Sequence, residues 1–221
     1  MDVMEVMRER HSVRSYNGEP LTDLEKTVLQ QKIDEVNRDG NLHIQLVCNE
    51  PKAFDGFMAH YGKFSGVTSY LAMIGPKSDD LSERIGYYGE KLVLLASSMG
   101  LGTCWVAMTY SKVKTAYTVN DGEKLVVVIA LGHGTTKGVA HTSKDASEVS
   151  TVSGETPEWF SRGIEAALLA PTAMNQQKFH FTLDGSKVKA ESGTGFYSKI
   201  DLGIAKLHFE LGAGKDNFSW A

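Results

Sequence analysis

The chain has 221 residues, with 23 Lys and Arg against 27 Asp and Glu, for a formal charge of −4. Hydrophobic residues make up 42% and charged residues 23%, ordinary globular usage that supports one large domain or two small ones. The acidic balance gives no basis for nucleic-acid binding, no apolar run is long enough to span a membrane, and seven His and two distant Cys residues show no metal-ligand spacing.

The opening "MDVMEVMRER" reads as a short amphipathic helix without the basic and apolar regions of a signal peptide. Cys48 and Cys104 make no CxxC, so a reducing cytoplasm is the expected setting. Next comes "RHSVR", residues 10–14. In an extended segment Arg10, Ser12 and Arg14 would point to one side. Two guanidinium forks and a hydroxyl on one side suit a phosphate; the plain alternative is a solvated turn after a helix, with Arg near its C-terminus.

"EPLTDLEKTVLQQKIDEVNRDG" predicts a second helix, starting at Thr22 or Asp23 and ending at Gly40. Residues 42–48 alternate as a strand, and 69–75 read as a buried strand. Residues 82–100 predict a long helix with Leu92, Leu95, Ala96 and Met99 at helical spacing and Gly100 as its stop. "EKLVVVIALGHG" (123–134) is the strongest strand, expected at a sheet centre. The polar, turn-rich stretch 134–156 reads as a connection rather than core.

Beyond it the chain begins to repeat. Pro157 follows Pro20, and Phe179-His180-Phe181 follows Leu42-His43-Ile44, at one common offset of 137 residues. Gly89 and Gly100 bracket one helix, Gly203 and Gly214 another, at an offset of 114, so the second copy lacks about 23 residues in its middle. Shared order and spacing point to an internal pseudo-duplication with halves 1–149 and 150–221 inside one domain, 1–221.

The second copy differs where its first helix ends, "GIEAALLAPTAMNQQ". Pro171 stops the helix. Thr172, Asn175 and Gln177 follow in a small polar loop, and amide side chains offer both donors and acceptors, as a planar heterocycle requires. An ordinary polar helix end is the alternative for this motif alone.

Taken together, "RHSVRSYNGEPL", "EAALLAPTAMNQQ", "LASSMGLGTCWVA" and "VVVIALGHG" resemble the nitroreductase superfamily of FMN flavoproteins over nearly the whole chain, in the branch with rearranged motif order. The resemblance implies an α+β fold with a central, mainly antiparallel sheet flanked by helices. It implies that Arg10, Ser12 and Arg14 hold the phosphate and ribityl chain, with His11 close by through its backbone. Pro171, Thr172, Ala173 and Asn175 would meet the isoalloxazine from the other side, with Gln177 near its polar edge. Cys104 to Ala107 matches the stretch beside the ring, so Trp105, Val106 and Ala107 are expected there. Among the basic residues after the last strand, Lys137, His141 and Lys144, the phosphate contact is assigned to Lys144.

The implied activity is hydride transfer from NAD(P)H through FMN to a small acceptor, nitroaromatic or quinone-like, in ping-pong turnover. No catalytic acid, base or metal ligand is expected of the protein. His11, His43, His180, Tyr87 and Tyr88 read as structural. Ordinary members complete each site from two subunits; this chain carries one of each motif, so its FMN site is expected within one chain whether or not it dimerises. A non-catalytic flavin-binding or storage protein, and a flavin-fragmenting or dehalogenating member, are the alternatives. A dinucleotide-binding Rossmann protein is the rival outside the family, because "GHGTTKG" follows a strand; but no helix opens at its last glycine.

Overall fold

The computed structural model describes residues 2–221. Seven helices and eight strands alternate along the described residues, and the strands form two separate four-stranded sheets. The chain divides into two compact units, each built from discontinuous segments. One contains residues 10–81 and 91–140; the other contains the first helix, residues 82–90 and residues 141–221.

In the first of these units, α2 (Asp23–Gly40) starts where a capping box closes it. The Thr22 hydroxyl accepts from the Glu25 N–H, and the Glu25 carboxylate accepts from the Thr22 N–H, satisfying two donors that the helix cannot. It buries Leu29, Ile33 and Val36 at helical spacing. The strand expected over 42–48 is only β1 (Gln45–Val47). Asn37 is the reason: its side-chain amide takes both the N–H and the C=O of Ile44, at 2.7 and 2.9 Å, and so removes that residue from a ladder. β2 (Ser69–Pro76), β3 (Gly102–Val106) and β4 (Glu123–Gly132) complete a sheet in the order β1-β2-β4-β3, antiparallel throughout. Between β1 and β2 the chain forms a 3₁₀ turn and the short helix α3 (Phe57–Tyr61). Tyr70, Ala72, Cys104, Val106, Val128 and Ala130 share one face of the sheet and pack with Phe54, Phe64, Val13 and Tyr16. The long helix α4 (Leu81–Ser98) ends at Met99, and Gly100 follows with φ +81°, the left-handed stop its sequence position foretold.

In the second unit α1 (Val3–Glu9) buries Val6 and Met7. The stretch expected to be only a connection carries structure: α5 (Ala146–Val149) buries Val149, and β5 (Ser150–Ser153) pairs in parallel with β6 (Phe179–Asp184). One apolar side chain in each short element is enough to anchor it, too few to show as a periodic pattern. β6 and β7 (Lys187–Ser192) form a hairpin, and β8 (Ser219–Trp220) adds in parallel to β7. α6 (Glu158–Leu168) follows Pro157, and α7 (Ser198–Ala213) is buried along most of its length. Phe209 on α7 stacks on Phe181 at 4.7 Å and meets Phe160 edge-on at 5.5 Å, so helices and sheet share an aromatic core. His208 and Glu90, both fully buried, meet at 3.1 Å. No helix among the described residues is long and apolar enough to cross a membrane, and none of their His, Cys, Asp and Glu residues form a metal-holding group.

Candidate functional site

The sequence-predicted residues fall into two groups, one in each unit. The first is the "RHSVR" segment, which lies beside the edge strand β3. Ser12 forms a parallel bridge with Thr103, and the Val13 N–H donates to the Thr103 carbonyl at 2.9 Å. Further on, the Ser65 N–H donates to the Arg14 carbonyl, the Tyr16 N–H to the Ser65 carbonyl, and the Thr135 N–H to the Ser15 carbonyl. The segment is thus extended, as expected, and strapped down by backbone on several sides. Val13 and Tyr16 enter the core, where the Tyr16 hydroxyl donates to the Val13 carbonyl at 2.8 Å.

The three polar side chains do not share one exposed side. Arg10 is buried, Ser12 is half-buried and Arg14 is exposed. The Ser12 hydroxyl is hydrogen-bonded to the Cys104 thiol. Burial pushes that thiol up, while Arg14, the Ser12 bond and Arg10 all pull it down. Both guanidinium charges thus act in the same direction on the Cys104 thiol. The Arg14 guanidinium lies 6.0 Å from the Phe64 ring centre and forms no ion pair among the described residues.

Three glycines of the chain make room for this segment. A Cβ on Gly102 or Gly134 would stand 2.9 Å from Val13, and one on Gly138, at φ +74°, would stand 2.8 Å from the Ser12 carbonyl oxygen. Gly134 and Gly138 of "GHGTTKG" are explained by that close approach. β4, which precedes them, is antiparallel to both neighbours, so the parallel sheet of a Rossmann fold is absent. At the end of β3, Val106 is buried with Cys104 in the core, while Trp105 and Ala107 are half-buried.

The second group is the turn after α6. Pro171, Thr172 and Ala173 are half-buried, Asn175 is exposed and Gln177 is 2% exposed. The Gln177 amide is fully used inside the protein. Its oxygen accepts from the Lys144 N–H at 2.9 Å, and its nitrogen donates to the Thr142 carbonyl at 3.0 Å and to Asn175 Oδ1 at 2.9 Å. The Lys144 ammonium donates to the Gln177 carbonyl at 3.2 Å, and Asn175 Nδ2 to the Thr142 carbonyl at 2.8 Å. Gln177, expected at the polar edge of a ring, is here a latch that ties residues 142–144 to the turn. Lys144 belongs to that latch. Asn175 Nδ2 makes this one bond among the described residues, and Thr172 uses its hydroxyl to accept from the Gln177 N–H at 3.1 Å.

Sequence reasoning missed Asp201, in the first turn of α7, whose carboxylate accepts from the Ala173 N–H at 3.0 Å and from Gln176 Nε2 at 2.7 Å. A carboxylate within the apolar run "IDLGIA" was the available signal. Burial pushes its pKa up to about 6, against the two hydrogen bonds. The residues read as structural sit in internal pairs: His43 with Glu123 at 2.8 Å, His180 with Thr151 at 2.9 Å, and the Tyr87 hydroxyl with Glu210.

A family model described as "Putative TM nitroreductase" matches residues 2–213. The chain belongs to this nitroreductase family. Nitroreductases are oxidoreductases, and their solved structures share this α+β fold. A "putative nitroreductase" from Thermotoga maritima matches with a TM-score of 0.66 at 20% identity, covering 98% of this chain and 85% of that one. A "Putative NADH dehydrogenase/NAD(P)H nitroreductase" from Parabacteroides distasonis matches with a TM-score of 0.50 at 22% identity, covering 66% and 95%. A nitroreductase from Bacteroides fragilis, crystallised with bound FMN, matches with a TM-score of 0.46 at 18% identity, covering 66% and 94%. No curated protein matches the chain.

Proposed function

We propose that this nitroreductase-family chain is an FMN-dependent oxidoreductase that passes hydride from NAD(P)H to a small nitroaromatic or quinone-like acceptor. The observation that carries the reading is the exposed Arg14 guanidinium, without a carboxylate partner among the described residues, on a segment whose backbone is strapped down on several sides. Fixed guanidinium donors of this kind match a terminal phosphate. The residues present fit FMN better than a dinucleotide, since no helix opens from the glycine-rich loop after β4 to receive a pyrophosphate.

When bound, FMN supplies the two-electron redox chemistry. The chain's own residues bind and orient it. Arg14 and Arg10 balance the phosphate charge, and the strapped backbone of 10–14 fixes where that charge sits. In the first unit Trp105, Val106 and Ala107 at the end of β3 are assigned to the ring, and in the second Pro171, Thr172, Ala173 and Asn175 in the turn after α6. Gln177 and Lys144 hold that turn in shape. No side chain is assigned a proton-transfer role. The two free thiols suit a reducing compartment.

The test is spectroscopic. Purified protein should show a flavin absorption band and release FMN rather than FAD on denaturation, one FMN per chain because each motif occurs once. Steady NAD(P)H oxidation with a nitroaromatic or quinone should follow. Flavin binding without turnover would leave a binding or storage protein, and a colourless protein that also refuses added FMN would remove the assignment.

A further inference from the structure

The turn from Ala173 to Gln177 holds an unusual backbone. Met174, Asn175 and Gln177 have φ values of +53°, +53° and +44°, a region that non-glycine residues enter at a cost. Such a conformation persists only where its surroundings over-determine it. The turn has no apolar anchor at its tip, because Met174 is 82% exposed and Asn175 is exposed as well. Two sets of hydrogen bonds do the work instead. On one flank is the Gln177 latch to Thr142 and Lys144. On the other is Asp201, which spends one carboxylate oxygen on the Ala173 N–H and the other on Gln176 Nε2.

Asp201 is placed for this turn and not for its own helix. It is the fourth residue of α7, and the cap position, Tyr197, makes no side-chain capping bond. The Asp201 N–H enters the helix ladder through the Tyr197 carbonyl, leaving the carboxylate to reach back to residues 173–176. The start of a helix is also where a buried negative charge is tolerated best. Gln176 is held in turn: its Nε2 donates to the Phe196 carbonyl at 2.8 Å, and a Cβ on Gly195 would stand 2.6 Å from its Oε1. Asp201, Gln176 and the 195–196 backbone form one closed clasp.

We infer that Asp201 is the positioning residue of the flavin-contacting turn: its carboxylate, bonded to the Ala173 N–H and the Gln176 amide, pre-sets Thr172, Ala173 and Asn175 for the ring. This rests on the flavin reading above. Asp201 touches no reacting atom in this role; it acts through the turn. Burial pushes its carboxyl up to about 6, and the bonds from Gln176 and Ala173 act against that rise.

The test uses the full chain with Asp201→Ala, Asp201→Asn and Gln176→Ala. Asn keeps an acceptor for the Ala173 N–H, but its new donor faces Gln176 Nε2, which the Phe196 carbonyl holds in place. In flavin-free protein, hydrogen exchange at the Ala173 amide should speed up at least about tenfold in Asp201→Ala. FMN affinity should fall about tenfold or more, with a changed visible circular dichroism of the bound flavin. Asp201→Asn should keep Ala173 exchange within about threefold of wild type, and in FMN affinity it should fall, with Gln176→Ala, between wild type and Asp201→Ala. Should Asp201→Ala not fold, Gln176→Ala decides by the same readouts. Loss of melting temperature alone, with Ala173 exchange, FMN affinity and flavin spectrum unchanged, would overturn the inference and leave the flavin reading intact. A wild-type protein that binds no FMN would remove the flavin reading, and ring positioning with it.

Discussion

Arg14 and Arg162 carry the same charge on exposed positions, and their difference is local. Arg14 extends from a strapped segment beside Cys104, whose thiol feels it; Arg162 lies on the outer side of α6. Arg14→Ala should weaken FMN binding about ten- to hundredfold, the usual cost of a lost charge-assisted bond, while Arg162→Ala should leave it unchanged; a fluorescence titration of both variants measures this. Asp201 gives a pH prediction. Its native carboxyl is pushed from 3.8 up to about 6 by burial, so between those values the native state holds more proton than the unfolded chain. Stability from this group is therefore greatest below about pH 4 and is lost as pH rises through about 6, by roughly 3 kcal/mol at most. Wild type minus Asp201→Asn in urea melts should shift by that sign between pH 4 and pH 7; equal differences at both pH values would contradict it. The "RHSVR" segment was legible as extended backbone because its side-chain period is a local property. That Arg10 turns inward and Ser12 bonds Cys104 was not, because the partners come from β3. Gln177 was read as a ligand contact because an amide aimed at a ligand and one aimed at its own backbone look alike in sequence. Asp201 was missed because Ala173 and Gln176 lie 28 and 25 residues away.

Helix limits were the most legible elements, since capping chemistry lies within a few residues: Thr22 with Glu25, and Gly100 after α4. β1 was read too long because Asn37, on the preceding helix, captures Ile44. The β6–β7 hairpin carried a plain signal in "LDGSK", with Gly185 at φ +60°. What no local pattern shows is how closely two helices approach. Within the second unit, residues 82–90 of α4 meet α7 backbone to backbone: a Cβ on Gly86 would lie 2.1 Å from the Ile200 carbonyl oxygen, and one on Gly203 2.0 Å from that of Glu83. Ala at 203 gains helix propensity of about 1 kcal/mol, but it meets backbone that cannot swing aside, and overpacking costs about 1–3 kcal/mol or more. Gly203→Ala should thus lower the melting temperature by several degrees. Gly193→Ala, where the new Cβ would meet nothing closer than 3.5 Å, should leave it nearly unchanged.

At the scale of the molecule, the order helix, strand, strand, helix, strand occurs twice, once through α2, β1, β2, α4 and β3 and once through α6, β6, β7, α7 and β8. The difference in length falls between the first two strands, which β6 and β7 close with a tight turn and β1 and β2 with a 3₁₀ turn and α3. We propose the internal duplication on that order, although β3 pairs antiparallel with β4 and β8 in parallel with β7. Compactness follows other lines, because contacts and not chain order decide it: α1 and residues 82–90 belong to the unit that residues 141–221 complete. A fragment ending at residue 150 therefore removes more than the second copy. It deletes α6, α7 and most of the second sheet, and with them the turn from Pro171 to Gln177. It strips cover from Gly86, which stands against the Ile200 backbone. It also takes His208 away from Glu90, both fully buried, and so removes one hydrogen-bond partner of that carboxylate. It removes α7, against which α1 with its buried Val6 and Met7 packs, and contiguous apolar surface drives association. The 1–150 fragment should therefore aggregate or remain partly unfolded, and should bind no FMN even where refolded protein is recovered. Size-exclusion chromatography and flavin titration on the fragment check both parts. A monomeric, cooperatively melting 1–150 fragment that binds FMN like the full chain would show that neither the 171–177 turn nor the second unit is needed for the flavin.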